Sequence, residues 1–517
     1  MIDIARNFHG VHTIKSYIDV LSMYKMNKLH LHLTDDEGWR IEIPGLEELT
    51  EIGGKRCHDP KETKCLLPFL GSGPYSNSSG SGFLTVSQYR DILTYAKMHH
   101  VEIIPEIDMP GHAHAAIKAM EARFLKHYKT DIQEATRYLL TDLKDRSEYL
   151  SIQSFKDDAI NPCVKSTFNF IRKVVDAIYN MHKDIQPLKV FHFGGDEVPH
   201  SAWEKSPMCQ NLPLKGNKKT AIKEMFVLKV AEILKEYGLN LAAWEDGLLN
   251  GKEPINRNFF SGVAYAYTWN NLWSLHGAKT SYVLANLGYK VIMTPATNLY
   301  FDHPYEPNPW EPGLIWANRF TTTKNVFSVI PENIYEIYEK TIDGETLMPC
   351  LDKSECPPLV KFENIEGIQG SLFGELVRKR ETLDYMVLPR LLALAERSWH
   401  AAKWEYILNK TMRQKEIDKD WTDFANTVGH KEFARLDWKG FLYRLPPPGF
   451  RVVNSTLEVQ LEFPGLTIEV SHDGGTHWKK SWNYGFADVN PWDDIRLRTK
   501  APVAYRYSRI INPNIID

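Results

Sequence analysis

The sequence predicts an α/β protein, a (β/α)8 TIM barrel followed by a small C-terminal antiparallel β-sandwich of the Ig-like type. Three observations predict this fold. Short apolar strands alternate with amphipathic helices from residue 1 to about 400. Polar side chains gather where those strands end, which is where such barrels carry their sites. After RLPPPGF, at 444–450, the pattern changes to two-residue alternation with a DGG turn.

The elements follow one another in a regular order. The apolar run IDIARNF precedes a helix whose buried face is predicted to carry Ile14, Tyr17, Ile18, Leu21 and Tyr24. KLHLHL is the next strand, and the helix VSQYRDILTYAKMHH leads to the strand VEIIPEID. The later strand candidates, which bring the total to eight, are LKVFHFGG, LNLAAW, GVAYAYTW, YKVIMTP and GIQGSLF.

Two domains are expected. Residues 1–440 form the catalytic barrel, and this span exceeds the roughly 250 residues of a typical barrel, so several loops must be long. Residues 445–517 form the accessory sandwich, with strands predicted in LEVQLEF, LTIEVSHDGGTHWK and YRYSRII. The segment GSGPYSNSSGSG, at 71–82, is predicted to be a surface loop.

Composition excludes several classes of partner. The 517 residues are 43% hydrophobic, which is enough for a large core. A net charge of −3 argues against a nucleic-acid or anionic-membrane surface. No apolar run reaches the roughly 20 residues of a membrane span. The 14 tryptophans suit either core packing or the stacking of sugar rings, and the oligomeric state stays open.

The cysteines indicate an oxidising compartment. There are six, and their spacings do not match a zinc site. The even count predicts disulfides, with buried free thiols as the alternative. The pairs are Cys57 and Cys65, Cys350 and Cys356, and Cys163 and Cys209. Glycosylation sequons occur at Asn77, Asn409 and Asn454. We therefore expect a secreted or lumenal protein (extracellular, periplasmic or lysosome-like) whose signal segment is missing from this sequence.

The stretch HFGGDEVPH, at 192–200, places Asp196 and Glu197 side by side after a double glycine. Paired carboxylates suggest sugar hydrolysis, but the usual pair stands roughly 5–9 Å apart across the scissile bond. Adjacent residues at a strand end do not easily meet that geometry. For a lone acid pair, capping of a helix N-terminus is the structural alternative.

Together with HLTDDEGWRIEIPGL, EIDMPGHAHA, AAWEDG and LAERSWH, this stretch resembles family 20 glycoside hydrolases, the exo-acting β-N-acetylhexosaminidases. The likeness covers nearly the whole chain and is greatest to the bacterial chitobiase type, which shares PYEPNPWEPG and the C-terminal sandwich. Chitobiases carry two domains before the barrel that this sequence lacks. The resemblance implies a terminal β-linked N-acetylhexosamine as substrate, without cofactor or metal.

In this family the 2-acetamido oxygen of the substrate attacks the anomeric carbon, so no carboxylate nucleophile is needed. The resemblance implies that Glu197 is the general acid and later the base, and that Asp196 holds the acetamido N–H. Neighbouring side chains on a strand diverge, so adjacent acids reach different atoms. The charge on Asp196 is expected to keep the proton on Glu197.

Further roles are implied for residues that contact the sugar. Arg6 would bind the 3- and 4-hydroxyls, with a barrel salt bridge to Asp35 as an alternative or additional role. Glu375 would bind the 4- or 6-hydroxyl, and Asp302 would reach a hydroxyl. Trp316 matches the platform for the next sugar.

Other residues would form the acetamido pocket and support the acid. Trp244 and Trp269 would wall the pocket, and Tyr300 would donate to the acetamido oxygen. His112 would orient the acid. The family pattern has tryptophan where this chain has Phe373, the floor under the terminal ring. We expect activity to persist with altered affinity or substrate breadth.

Three rival interpretations remain. The first is a catalytically silent glycan-binding protein. The second is a metal-dependent barrel hydrolase that uses HLH (30–32) and HAH (112–114), although HAH follows Pro-Gly and is expected on a loop or helix start. The third is a polypeptide that folds poorly alone because its first strand is barely present. The sequence also leaves open the preference between N-acetylglucosamine and N-acetylgalactosamine, the choice between chitin fragments and glycoconjugates, and the pH optimum.

Overall fold

The computed structural model describes residues 1–214, 216–251, 253–272, 277–336, 355–453, 456–481 and 494–513. Eight parallel strands form one sheet whose order follows the chain. They are β1 (Ile2–Asp3), β2 (Lys28–His32), β3 (Glu102–Glu106), β4 (Val190–His192), β5 (Asn240–Trp244), β6 (Ala264–Thr268), β7 (Lys290–Met293) and β8 (Ile365–Ile368). A parallel bridge pairs Ile2 with Leu372, just beyond β8, so the first and last strands meet. The predicted barrel and all eight of its strands are confirmed.

Helices connect the strands. Up to the end of the barrel they are Val11–Met23, Glu48–Glu51, Val86–Met98, His114–His127, Ile132–Thr136, Lys165–His182, Pro207–Gln210, Lys218–Glu236, Thr280–Asn286, Ala296–Leu299, Thr323–Phe327, Arg380–Val387 and Arg390–Trp399. The first helix buries Ile14, Tyr17, Ile18 and Leu21 of the predicted face, whereas Tyr24 lies just beyond the helix and is half-buried. A capping box between Thr85 and Gln88 starts the third. Among the described helices, none is long and apolar enough to cross a bilayer.

Strand β4 is shorter than predicted. It ends at His192, and the rest of HFGGDEVPH is irregular. Gly194 and Gly195 have φ values of +70° and +95°, which break the extended conformation. A Cβ on Gly194 would lie 1.8 Å from Asp108 Oδ1, so the close approach of this loop to β3's extension requires glycine. The acid pair is therefore on a loop and caps no helix.

Two of the predicted disulfides are present. Cys57 bonds Cys65 with a Cα–Cα distance of 5.6 Å, and Cys163 bonds Cys209 with a Cα–Cα distance of 5.1 Å. The third predicted pair includes Cys350, which lies outside the described residues, as does the sequon asparagine Asn454.

Packing divides the chain into two compact units, residues 1–380 with 394–399, and residues 381–393 with 400–517. The predicted domain boundary at 440–445 stays a prediction. The second unit contains the helices Lys410–Thr427 and Phe433–Trp438, joined by a π-helix over Val428–Glu432. Its antiparallel sheets pair β9 (Gly449–Val453) with β10 (Thr456–Gln460), and β11 (Thr467–Ser471) with both β12 (Lys479–Ser481) and β13 (Arg496–Lys500).

The prediction of a strand in YRYSRII is wrong. The regular strand is RLRTK, and the later segment makes only isolated bridges, at Lys500 with Tyr507 and at Leu497 with Ile511. The Ser508 hydroxyl oxygen accepts the Thr499 N–H at 2.9 Å. Because a side-chain oxygen takes a position that a backbone carbonyl would hold in a ladder, regular pairing is interrupted there.

Candidate active site

The acid pair lies on the loop after β4, at the carboxyl ends of the barrel strands. Glu197 has a φ of +45°, a left-handed conformation that is uncommon for a residue other than glycine. Its backbone N–H donates to Asp246 Oδ2 at 3.3 Å, and Gln153 Nε2 donates to its Oε2 at 3.4 Å. The strand alternation assumed for the acid pair therefore does not apply, because both acids lie on a loop.

His112 joins the acid pair to the barrel. Its Nε2 lies 3.4 Å from Glu197 Oε2 and 3.8 Å from Asp196 Oδ2. Its Nδ1 lies 3.3 Å from Asp35 Oδ1 and 3.5 Å from Asp36 Oδ2. Burial opposes a charged imidazole, but these carboxylates outweigh it and hold the pKa of His112 well above its ordinary value.

The structure reverses the expected protonation order of the two acids. Burial, helped by the charges of Glu197 and Asp246, raises the pKa of Asp196 to about 7. Burial also acts to raise the pKa of Glu197, but the hydrogen bond to His112 outweighs it and leaves that pKa lowered. The sequence prediction considered only the neighbouring charge, whereas the imidazolium beside Glu197 decides the order.

Arg6 follows β1 and lies in a buried ring of acids. Its guanidinium approaches Asp35 at 2.8 Å, Asp3 at 3.3 Å and Glu37 at 3.3 Å. Its side chain is 3% exposed and that of Asp35 is fully buried, so the ion pair is shielded from solvent. Burial opposes ionisation of Asp35, but Arg6 and His112 hold its pKa well below the usual range. The predicted salt bridge is confirmed.

Glu106, a buried residue at the end of β3, connects two parts of the site. Its Oε1 accepts the indole N–H of Trp244 at 2.7 Å, and its Oε2 lies 2.7 Å from His32 Nδ1. The other ring nitrogen of His32 lies 2.7 Å from Asp35. One buried carboxylate thus fixes both a pocket wall and, through His32 and Asp35, the position of Arg6.

Five aromatic side chains form the pocket. Phe373 packs against Trp244 and Tyr300, with ring centroids 6.0 and 5.3 Å away. Trp316 packs against Tyr300 and Trp269 at 5.7 and 5.8 Å. Trp244 is buried, Trp269 and Phe373 are half-buried, and Trp316 is 39% exposed. The set therefore runs from the barrel interior to its rim.

Three polar residues complete the pocket wall. Tyr300 is buried, and its pKa is raised well above the ordinary value by burial and by the charge of Asp302. Burial also raises the pKa of Glu375 to about 8, although Arg6 opposes the shift. Glu375 Oε2 is buried without a hydrogen-bond partner among the described residues. All twelve side chains singled out in the sequence thus lie around one site.

Sequence reasoning missed two residues that contact the acid pair or its wall. Asp246 accepts both the Glu197 backbone N–H and, at 3.1 Å, the Trp269 indole N–H. Its signal was present in AAWEDG, as a carboxylate two residues beyond a strand end. Gln153 comes from a long irregular segment in which no motif marks it.

Several side-chain groups could hold a metal ion. Within the described part of the chain they are His30–Glu106–His192, His32–Glu106–Asp108, Asp35–Asp36–His112 and Asp108–His112–Asp196. The imidazoles of HLH both reach Glu106, at 2.9 and 2.7 Å. Those of HAH diverge, because His114 begins a helix and lies against Glu62 and Asp157. HAH therefore does not supply two ligands to one site.

Comparison with known proteins finds matches along most of the chain. The model of the glycosyl hydrolase family 20 catalytic domain matches residues 1–402, and that of the chitobiase/beta-hexosaminidase C-terminal domain matches residues 432–510. A beta-hexosaminidase of Vibrio vulnificus is 41% identical over 93% of this chain. The N,N'-diacetylchitobiase of Vibrio harveyi is 37% identical over 99% of it.

A solved structure shares the fold. It is a family 20 exo-β-N-acetylglucosaminidase from Vibrio harveyi in complex with N-acetylglucosamine, with a TM-score of 0.65 and 29% identity over 86% of this chain. The chain covers 58% of that structure's chain. It spans 58% and 61% of the lengths of the two curated relatives.

Proposed function

The chain belongs to glycosyl hydrolase family 20, and from this membership we propose that it is an exo-acting, retaining β-N-acetylhexosaminidase. It releases terminal N-acetylglucosamine or N-acetylgalactosamine from chitobiose, chito-oligomers or glycoconjugates. The relatives named as chitobiase and beta-hexosaminidase support this substrate class.

Asp196 carries the proposal. Its Oδ1 is buried and has no hydrogen-bond partner among the described residues, and its charge acts on Tyr300, one of the aromatic residues of the pocket. A buried acceptor left unpaired costs free energy unless a ligand supplies a donor. The N–H of a 2-acetamido group is such a donor. Holding it would turn the carbonyl oxygen of the same group toward the anomeric carbon.

In the proposed reaction, that carbonyl oxygen attacks the anomeric carbon as the glycosidic bond breaks, and an oxazolinium ion forms. Glu197 protonates the leaving oxygen and then deprotonates the water that opens the ring. His112, charged and 3.4 Å from Glu197, would orient that carboxyl group toward the leaving oxygen. Tyr300 would donate its hydroxyl hydrogen to the acetamido oxygen.

The remaining pocket residues would bind the sugar. Arg6 and Glu375 would hold ring hydroxyls. Asp302, whose charge raises the pKa of both Tyr300 and Glu375, would reach a further hydroxyl. Trp269 and Trp244 would enclose the acetamido methyl group, and Phe373 would lie under the ring. Trp316, at the rim, would stack on the second sugar.

The test is hydrolysis of a chromogenic N-acetyl-β-glucosaminide, followed by NMR of the first sugar anomer released. We expect the β-anomer first, inhibition by a thiazoline analogue of the oxazolinium ion, and no turnover of the matching β-glucoside, which lacks the acetamido group. Release of the α-anomer, or equal turnover of the glucoside, would contradict substrate assistance. Binding of chitobiose without turnover would favour the silent glycan binder.

The pH dependence of kcat/KM should report Asp196. The reaction needs this carboxylate ionised, and a pKa raised to about 7 means that its acid form persists to higher pH. We therefore expect kcat/KM to fall as the pH drops below about 7. In Asp246→Asn, loss of a charge that raises the pKa of Asp196 should move this acid limb to lower pH. The profile of an exposed-site control, Glu253→Gln, should match wild type; an unmoved limb in Asp246→Asn would refute the assignment.

Replacing Phe373 with tryptophan restores the family's larger floor. In the wild type, the centroid of the Phe373 ring lies 5.4 Å from the guanidinium carbon of Arg6, and the ring also packs against the aromatic walls. We expect a KM for the chromogenic substrate about 2- to 10-fold lower, because a larger ring offers more stacking area. If kcat/KM is unchanged for every substrate tried, position 373 is not the floor.

A compartment and a domain boundary are also proposed. The two disulfides support folding in an oxidising, secreted or lumenal environment. Six thiols reacting with Ellman's reagent in unfolded, unreduced protein would contradict this.

The boundary near 440–445 is supported by the change to antiparallel strands from Gly449 onward.

A further inference from the structure

The segment 303–313 forms a loop whose two ends are fixed at the pocket rim. Leu314 N donates to Asp302 O at 2.8 Å, and Thr321 N donates to Pro304 O at 2.7 Å. Gly313 has a φ of +142°, and a Cβ there would lie 2.7 Å from Asp302 O. The loop is therefore rooted against Asp302, a proposed sugar contact.

This loop presents a large aromatic side chain to solvent. Trp310 is 86% exposed, and beyond the loop Ile315 is 63% exposed. Because an extended chain advances at most roughly 3.6 Å per residue, the Cα atoms of Trp310 and Trp316 each lie within about 11 Å of Gly313. An indole is usually well buried, so a nearly bare one beside a binding pocket indicates a surface that receives a ligand.

The charges around Trp310 restrict that ligand. Residues 301–318 include Asp302, Glu306 and Glu311 and contain no lysine or arginine. This segment offers no basic side chain that would pair with an anionic chain, whereas a neutral chain needs none. The pyranose faces of β-linked N-acetylglucosamine are apolar and uncharged, and they suit a flat indole.

We propose that Trp310 is a stacking platform for the third and later sugars of a neutral chito-oligomer whose first two sugars occupy the pocket and Trp316. This inference rests on the proposed function and extends it. The protein would then prefer longer linear chains over both short substrates and chains that carry acidic groups.

The test compares substrates of increasing length. In Trp310→Ala, the ratio of kcat/KM on chitotetraose to kcat/KM on the chromogenic monosaccharide should fall roughly three- to tenfold, and Trp310→Tyr should retain most of it. Trp438, 80% exposed in the second unit, provides a matched control, and Trp438→Ala should keep the wild-type ratio. An unchanged ratio in Trp310→Ala would overturn the proposal.

Calorimetry separates this inference from the proposed function. In a Glu197→Gln background, which removes the catalytic acid, Trp310→Ala should weaken chitotetraose binding by the same factor and chitobiose binding less. That comparison decides the role of Trp310 even if the wild type proves catalytically silent. Equal losses on both ligands, or a change of oligomeric state in sedimentation without a length effect, would overturn the platform.

Discussion

Glu197→Gln is expected to lower kcat/KM on chitobiose by about 10²–10⁴-fold, the usual contribution of a general acid. The departing group of chitobiose is a sugar alkoxide, which needs a proton as the bond breaks. Glutamine has nearly the shape of glutamate and can still accept from the Gln153 amide, so the pocket should persist. The measurement is steady-state kinetics, with thiazoline binding as the check that the site is intact.

Leaving-group chemistry provides the control for that variant. The leaving group of a dinitrophenyl N-acetyl-β-glucosaminide is a stable phenolate that departs without protonation. The kcat/KM of Glu197→Gln on this substrate should therefore fall far less. Asp196→Asn should instead lower kcat/KM on both substrates, because both need the oriented acetamido group. If Glu197→Gln slows the two substrates by the same factor, Glu197 is not the acid.

Arg6→Met is expected to lower the free energy of unfolding by about 3–5 kcal/mol, the cost of breaking a buried ion pair from one side. The change leaves the buried carboxylates of Asp3, Asp35 and Glu37 without their shared cation. Methionine fills similar volume, so the loss reports charge more than a cavity. Urea unfolding followed by fluorescence measures it, and activity should be lost as well.

The pH dependence of this loss follows from Asp35. In the wild type its depressed pKa contributes stability above the ordinary value of 3.8, and that contribution is lost as the pH falls through the folded-state pKa. Without Arg6 the pKa of Asp35 would be depressed less, because only His112 and His32 would still oppose the effect of burial. The deficit of Arg6→Met should thus be larger at pH 5 than at pH 3.

Arg6→Lys keeps the charge but replaces the planar fork with a single ammonium group, which cannot contact the surrounding carboxylates in the same geometry. Its deficit should be smaller than that of Arg6→Met and should vary less with pH. Equal deficits in the two variants would show that the fork, rather than the charge, stabilises this ring of acids.

The fold could be predicted because local patterns report it. Buried parallel strands need short apolar runs, and each of the eight runs forms a barrel strand. Prediction failed where one or two individual residues changed the outcome. Ser508 interrupts the ladder expected in YRYSRII, and Gly194 with Gly195 ends β4 before the acid pair. Neither effect has a periodic signature.

The sequence by itself determined the barrel strands, the family and the identity of the acid pair, because these depend on residue types at short spacings. Only the tertiary structure decided in which direction the pKa values of the two acids shift. His112 contacts Glu197, which is 85 residues further along the chain. Glu106 on β3 contacts both Trp244 on β5 and His32 on β2. Burial and the distances between such groups set their pKa values, and both arise only when distant segments pack together.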